Sequence, residues 1–91
     1  MRSREALIIE AGGERFRFYY DLERPEVLHI TRRHGTVPEE AIRAFFEGRT
    51  GPWNEARVRF ETETETHGLY WTRHPHDQSV IVISCFAREE D

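Results

Sequence analysis

Ala6-Leu7-Ile8-Ile9 is a short apolar run, and Arg15-Phe16-Arg17-Phe18-Tyr19-Tyr20 alternates charged and aromatic residues with the period of two that marks a strand. Ala11-Gly12-Gly13-Glu14 between them reads as a turn, because glycine reaches positive φ without steric cost. The two runs predict a β-hairpin over residues 5–20. Asp21 then offers a capping carboxylate, and Pro25 suits a first helical turn. Val27, Leu28 and Ile30 supply an apolar side and Gly35 a left-handed stop, so a helix is expected over about 23–33. Thr36-Val37-Pro38-Glu39 reads as a capping box with proline in the first turn. Ala41, Ile42, Phe45 and Phe46 recur at spacings of three and four, which predicts a second helix over about 37–47 ending at Gly48.

The rest of the chain reads as β-structure. Arg57 to Glu63 alternates, with Val58 and Phe60 inward and charged residues outward. His67-Gly68 is a turn candidate, Leu69 to Arg73 a strand and His74 to Gln78 a loop broken by Pro75 and Asp77. Ser79 to Phe86 is a continuous, β-branched apolar run, which predicts a central strand buried on both faces. The tail from Arg88 to Asp91 is expected to be solvated. The expected fold is α+β, with order ββααβββ: one antiparallel sheet of about five strands, its C-terminal part over residues 57–86, with two helices on one face.

Composition narrows the options. Ninety-one residues make one domain, and an aromatic content of 12% excludes a disordered chain. No apolar run approaches the ~20 residues of a spanning helix. The N-terminus lacks the apolar segment and small-residue cleavage site of a secretory signal, so the expected compartment is the cytoplasm. The single cysteine, Cys85, rules out an intramolecular disulfide framework and lies in an apolar run as a small core residue. A net charge of −4 excludes a strongly basic coat for nucleic acid, but it does not exclude a local basic site. All thirteen basic residues are arginine.

The middle of the chain carries a more specific pattern. Phe18-Tyr19-Tyr20-Asp21 ends a strand, Arg33-His34-Gly35 closes a helix, and Glu39-Glu40-Ala41 opens the next, seven residues after the histidine. Arg59-Phe60 and Ile83-Ser84 follow in later strands. From about residue 18 to residue 88 this resembles the BrnT family, small toxins of type II toxin–antitoxin pairs with a RelE-like ribonuclease fold. The sequence departs from the family at the last strand, where Ile81 and Phe86 stand in place of arginines. It also has one extra residue between Asp21 and His34, and an added first strand over residues 5–10. The resemblance implies a metal-independent endoribonuclease acting on single-stranded RNA and neutralised by a cognate antitoxin. No cofactor is expected.

Such chemistry needs a proton carrier, cations for the phosphoryl oxygens and a ring on which a base can stack. Histidine titrates near neutral pH, arginine donates a fixed fork of hydrogen bonds, and aromatic rings stack on unpaired bases. By resemblance the catalytic candidates are His34 and Arg33. Both read equally as cations drawn to a helix C-terminus. Arg57 and Arg59, two apart on the expected strand, point the same way and join the catalytic set, unless Glu61, Glu63 and Glu65 simply neutralise a solvated face. Tyr70, Arg73 and Trp53 are the binding candidates. His74-Pro75-His76-Asp77, with His67, permits a metal-dependent alternative, against which stands the bland reading of a polar loop tip. A non-catalytic protein- or ligand-binding module on the same fold is the other alternative. A homodimer through an edge strand is also open.

Overall fold

The computed structural model describes residues 5–88. The expected hairpin forms as β1 (Ala6–Ala11) and β2 (Glu14–Tyr19), with Leu7 opposite Phe18 and Ile9 opposite Phe16. Gly12 and Gly13 both take positive φ, 57° and 82°. A two-residue turn of that backbone matches the twist of the strands it joins.

The first helix is shorter than its sequence suggests. It is α1 (His29–His34). The preceding stretch is held as a loop, because Asp21 accepts the backbone N–H groups of Glu23 and Arg24 at 3.0 and 3.1 Å. A lone bridge between Tyr20 and Leu28 then keeps Leu28 extended. Asp21 thus acts as a turn-forming side chain rather than a helix cap. Gly35 ends α1 in the left-handed conformation, φ 72°, as expected.

The second helix, α2 (Pro38–Glu47), lies where the pattern put it. Its capping differs. Glu40 accepts the Val37 N–H at 3.0 Å, while the buried Thr36 hydroxyl donates to the Cys85 carbonyl at 2.6 Å instead of capping. The helix is followed by β3 (Arg49–Thr50), β4 (Phe60–Glu63), β5 (His67–Arg73) and β6 (Val80–Ala87).

Two strand boundaries moved. The expected strand from Arg57 begins only at Phe60, because Asn54 to Val58 forms a tight turn. Its Val58 N–H donates to the Asn54 carbonyl at 2.8 Å, and Val58 sits at φ 57°. His67-Gly68 is strand, not turn. The chain reverses at Thr64–Thr66, where Thr64 Oγ1 accepts the N–H groups of Thr66 and His67. Arg88 is tied down by its side chain to the Thr64 carbonyl at 2.6 Å, and the remainder of the expected tail lies outside the described residues.

The sheet has six strands in the order β1-β2-β6-β5-β4-β3, and it is mixed rather than antiparallel. β6 pairs parallel to β2, with Phe16 opposite Val80 and Phe18 opposite Val82. The apolar β6 needs a neighbour on each side. The β5–β6 hairpin supplies one, and the inner edge of β2, reached through the long α1–β5 excursion, supplies the other.

Along β6 the register slips once: Trp71 faces Val82 but Tyr70 faces Ser84, leaving Ile83 as a bulge. The bulge lets Val82 and Cys85, three residues apart, both enter the core. That core joins Phe16, Phe18, Leu69, Trp71, Val80, Val82 and Cys85 of the sheet to Ile30 of α1 and to Ala41 and Ala44 of α2. Phe45 of α2 packs edge-on against Phe16 and Trp71, at ring separations of 5.2 and 5.0 Å. Burial pushes the Cys85 thiol up to about 11, and Cys85 is a core residue as expected. No helix among the described residues is long and apolar enough to cross a membrane.

Candidate functional site

Residues of β5 alternate, so Leu69 and Trp71 face the core while Tyr70 faces the opposite side of the sheet. Tyr70 lies opposite Glu61 of β4 and Ser84 of β6, and Phe86 lies opposite Gly68. The missing side chain at Gly68 leaves the space that the Phe86 ring fills. Phe86 and Tyr70 meet edge-on at 5.1 Å.

A nitrogen-bearing side chain flanks this pair on each side, arginine at one end and histidine at the other. The Arg59 guanidinium carbon lies 3.6 Å from the Tyr70 ring centre, a close cation–π arrangement. At the other end the His34 ring lies 5.7 Å from Phe86. His34 is the last residue of α1, set beside β6 where β2 has ended. Burial pushes its pKa down, and the charges of Arg33 and His29 add to that, so His34 is neutral near neutral pH. His34, Phe86, Tyr70 and Arg59 form one continuous track. Arg59 is not a free charge: its Nε donates to Glu61 at 2.8 Å.

The remaining sequence-derived candidates scatter. Arg57 does not share a strand face with Arg59. It belongs to the tight turn, with its N–H bound to Asn54 at 3.0 Å and its side chain in solvent. Arg73 sits on the core side of the sheet beside Trp71 and donates two hydrogen bonds to Glu14, at 2.6 and 3.2 Å, so it is a structural cation away from Tyr70. Trp53 packs edge-on against Phe60 at 5.0 Å and lines a groove of about 760 Å³ with Tyr70, Phe86 and Glu61. Arg33 lines a separate hollow of about 390 Å³ with Tyr19, His29, Arg32, Ile81 and Ile83. Ile81 pairs with Thr72, two residues from Tyr70, so the hollow opens on the same sheet face as the track.

That hollow contains His29, which is not among the sequence-derived candidates, and Asp21, which the sequence offers only as a cap and as part of the strand-end pattern. Asp21 is buried, at 5% exposed, and its Oδ1 lies 3.1 Å from Nδ1 of His29. Arg32 Nε approaches Oδ2 at 3.5 Å. Burial pushes the Asp21 carboxyl up, but hydrogen bonds from His29 and two backbone N–H groups, with the Arg32 charge, bring it below its ordinary value. The available signal was an acid eight residues before a histidine across a proline, which a helical reading masks.

The histidines of the metal alternative are committed elsewhere. His67 binds Glu40 through Nε2 at 2.7 Å and Thr66 through Nδ1 at 2.8 Å. Asp77 is taken by Arg17 at 2.6 Å and by the Ser79 N–H at 2.9 Å, which hold its carboxyl well below the usual range. Among the described residues no three His, Cys, Asp or Glu side chains are grouped to hold a metal ion. Another groove, about 950 Å³, lies between α2 and the β4–β5 hairpin and is lined by both signs of charge, including Glu40, Arg43, Glu63 and His67. Comparison with protein-family models, curated proteins and solved structures finds no match to this chain.

Proposed function

We propose that this protein is a metal-independent endoribonuclease that cleaves single-stranded RNA, the toxin of a type II pair held inactive by a cognate antitoxin. The observation that carries the reading is the track from His34 through Phe86 and Tyr70 to Arg59 on the open sheet face. Phe86 and Tyr70, with Trp53 in the adjoining groove, offer faces on which unpaired bases stack, each worth ~1–3 kcal/mol. His34, neutral near neutral pH, is suited to remove the proton from a 2′-hydroxyl. Arg33, the residue before it in α1, and Arg59, at the far end of the track, are the cations available to meet phosphate oxygens.

An antitoxin that covers this face would block both stacking and proton transfer. The setting expected for such a pair is the cytoplasm. β1 forms one sheet edge and carries the exposed Ile8, which suits pairing with a second copy.

One observation favours the second reading, a non-catalytic binding module: Glu61 partly neutralises Arg59 beside the rings. A labelled single-stranded RNA incubated with purified protein and chelator separates the two. The nuclease reading expects fragments ending in 2′,3′-cyclic phosphate and a fall of about 10²–10⁴-fold in rate for His34→Ala. Intact RNA that binds without being cut would establish the module instead.

A further inference from the structure

Cleavage of RNA through its own 2′-hydroxyl moves two protons: one leaves the attacking O2′ and one must reach the departing O5′. His34 provides for the first. The chain has five histidines, and their hydrogen bonds decide which can serve the second. Both nitrogens of His67 are occupied by Glu40 and Thr66. His74 Nδ1 accepts the His76 N–H at 3.1 Å, its nearby acid, Asp77, is already bound to Arg17 and Ser79, and the exposed His76 ring has no hydrogen bond among the described residues to orient it.

His29 differs. Its Nδ1 is held by a buried carboxylate, and its Nε2 has no hydrogen-bond partner among the described residues. Asp21 is ionised and accepts bonds only, so the proton between the two rests on Nδ1. The tautomer is therefore fixed, and Nε2 is the nitrogen that exchanges a proton with a bound molecule. The Asp21 carboxylate lies beside the ring as the counter-charge to an imidazolium. Asp21 is braced from the far side by the Glu23 and Arg24 N–H groups, which set the carboxylate and hence the ring.

The surroundings fit a phosphodiester. His29 lines the hollow with Arg33, whose guanidinium has no hydrogen bond or ion pair among the described residues. His34 follows Arg33 directly at the end of α1, and the hollow opens on the face that carries Phe86 and Tyr70.

We infer that His29, oriented by Asp21, is the general acid of the ribonuclease site, with Arg33 binding the phosphoryl oxygens between it and His34. The inference rests on the ribonuclease reading. In the step, the O2′–P bond forms as the O2′ proton passes to His34. The P–O5′ bond breaks as His29 Nε2 gives its proton to O5′. The products are a 2′,3′-cyclic phosphate and a 5′-hydroxyl, and exchange with water restores both rings.

The test uses two oligonucleotides, one ordinary and one with sulfur in place of the bridging 5′-oxygen at a single linkage. Sulfur leaves as a thiolate without being protonated, so it needs no general acid. His29→Gln is expected to lower cleavage of ordinary RNA about 10²–10⁴-fold and to leave cleavage of the sulfur linkage within a few-fold of the parent. Asp21→Asn, which removes the carboxylate that orients the ring and favours its charged form, is expected to move the alkaline limb of the pH–rate profile to lower pH, because a general acid works only while protonated. Unchanged thermal unfolding of His29→Gln secures the comparison.

Parent-like cleavage of ordinary RNA by a folded His29→Gln, while His34→Ala is inactive, would overturn the inference and spare the ribonuclease reading. Equal loss on both linkages by a folded His29→Gln would also overturn it. Failure of the parent protein to cleave either linkage would overturn both readings. If His29→Gln fails to fold, His29→Asn on the same two substrates decides between the same outcomes.

Discussion

The guanidinium of Arg59 lies 3.6 Å from the centre of the Tyr70 ring while its Nε is tied to Glu61 at 2.8 Å, so one cation is shared between an aromatic face and a carboxylate. Tyr70→Ala removes the ring without touching the core, since Tyr70 points away from Leu69 and Trp71. We expect it to weaken single-stranded RNA binding by about 1–3 kcal/mol. Glu61→Gln is expected to do the reverse, tightening binding and steepening its salt dependence as Arg59 is freed to meet phosphate. Fluorescence anisotropy with a labelled oligonucleotide across a salt series measures both. Parent-like affinity in Tyr70→Ala would remove the track from the binding surface.

Gly68 is required by Phe86, because a Cβ there would collide with the Phe86 ring. Gly68→Ala forces the ring to move and separates it from Tyr70 and His34. The expected cost is about 1–3 kcal/mol of stability, together with weakened RNA binding. Gly13→Ala is the informative contrast: its Cβ meets nothing within 4 Å, but its φ of 82° is strained. It should cost stability with RNA binding preserved. Denaturant unfolding and anisotropy on the same samples separate the two effects.

Thr36 ties α1 to β6 through one residue. Its hydroxyl donates to the Cys85 carbonyl of β6 at 2.6 Å, and its carbonyl accepts the Thr31 hydroxyl of α1 at 2.7 Å. Thr36→Val keeps the shape and removes the donor. A loss of about 1–2 kcal/mol is expected from the unpaired buried carbonyl. An unchanged denaturation midpoint would mean the junction is held by packing alone.

Arg73 and Glu14 govern part of the acid sensitivity. The Arg73 hydrogen bonds hold the Glu14 carboxyl below its ordinary 4.5 despite the opposing effect of burial. A carboxyl lowered on folding adds stability that is fully present above its unfolded value and is lost as pH falls through 4.5 towards the folded value. Arg73→Ala is expected to lower stability near neutral pH by about 1 kcal/mol, the pair being partly exposed. It should also flatten the further loss below 4.5. Thermal unfolding as a function of pH measures this, and a slope equal to the parent's would assign the acid sensitivity to other carboxyls.

The hairpin over Ala6–Tyr19, the helix Pro38–Glu47 and the strand at Val80–Ala87 were legible in the chain itself. Each is encoded by neighbours within a turn or a strand: the Gly12-Gly13 turn, the stripe of Ala41, Phe45 and their neighbours, the β-branched run after Ser79. Periodicity says which residues share a face, but it carries no information about which distant strand pairs with that face. Only the tertiary structure decided that β6 lies parallel to β2, that Arg57 leaves Arg59 in a turn, and that Arg73 faces Glu14 instead of the open side. The same limit hid the pairing of Asp21 with His29. Their side chains meet because loop hydrogen bonds and the Tyr20–Leu28 bridge replace the helix that local propensity favours there, and such a contest is settled by long-range packing rather than by the segment.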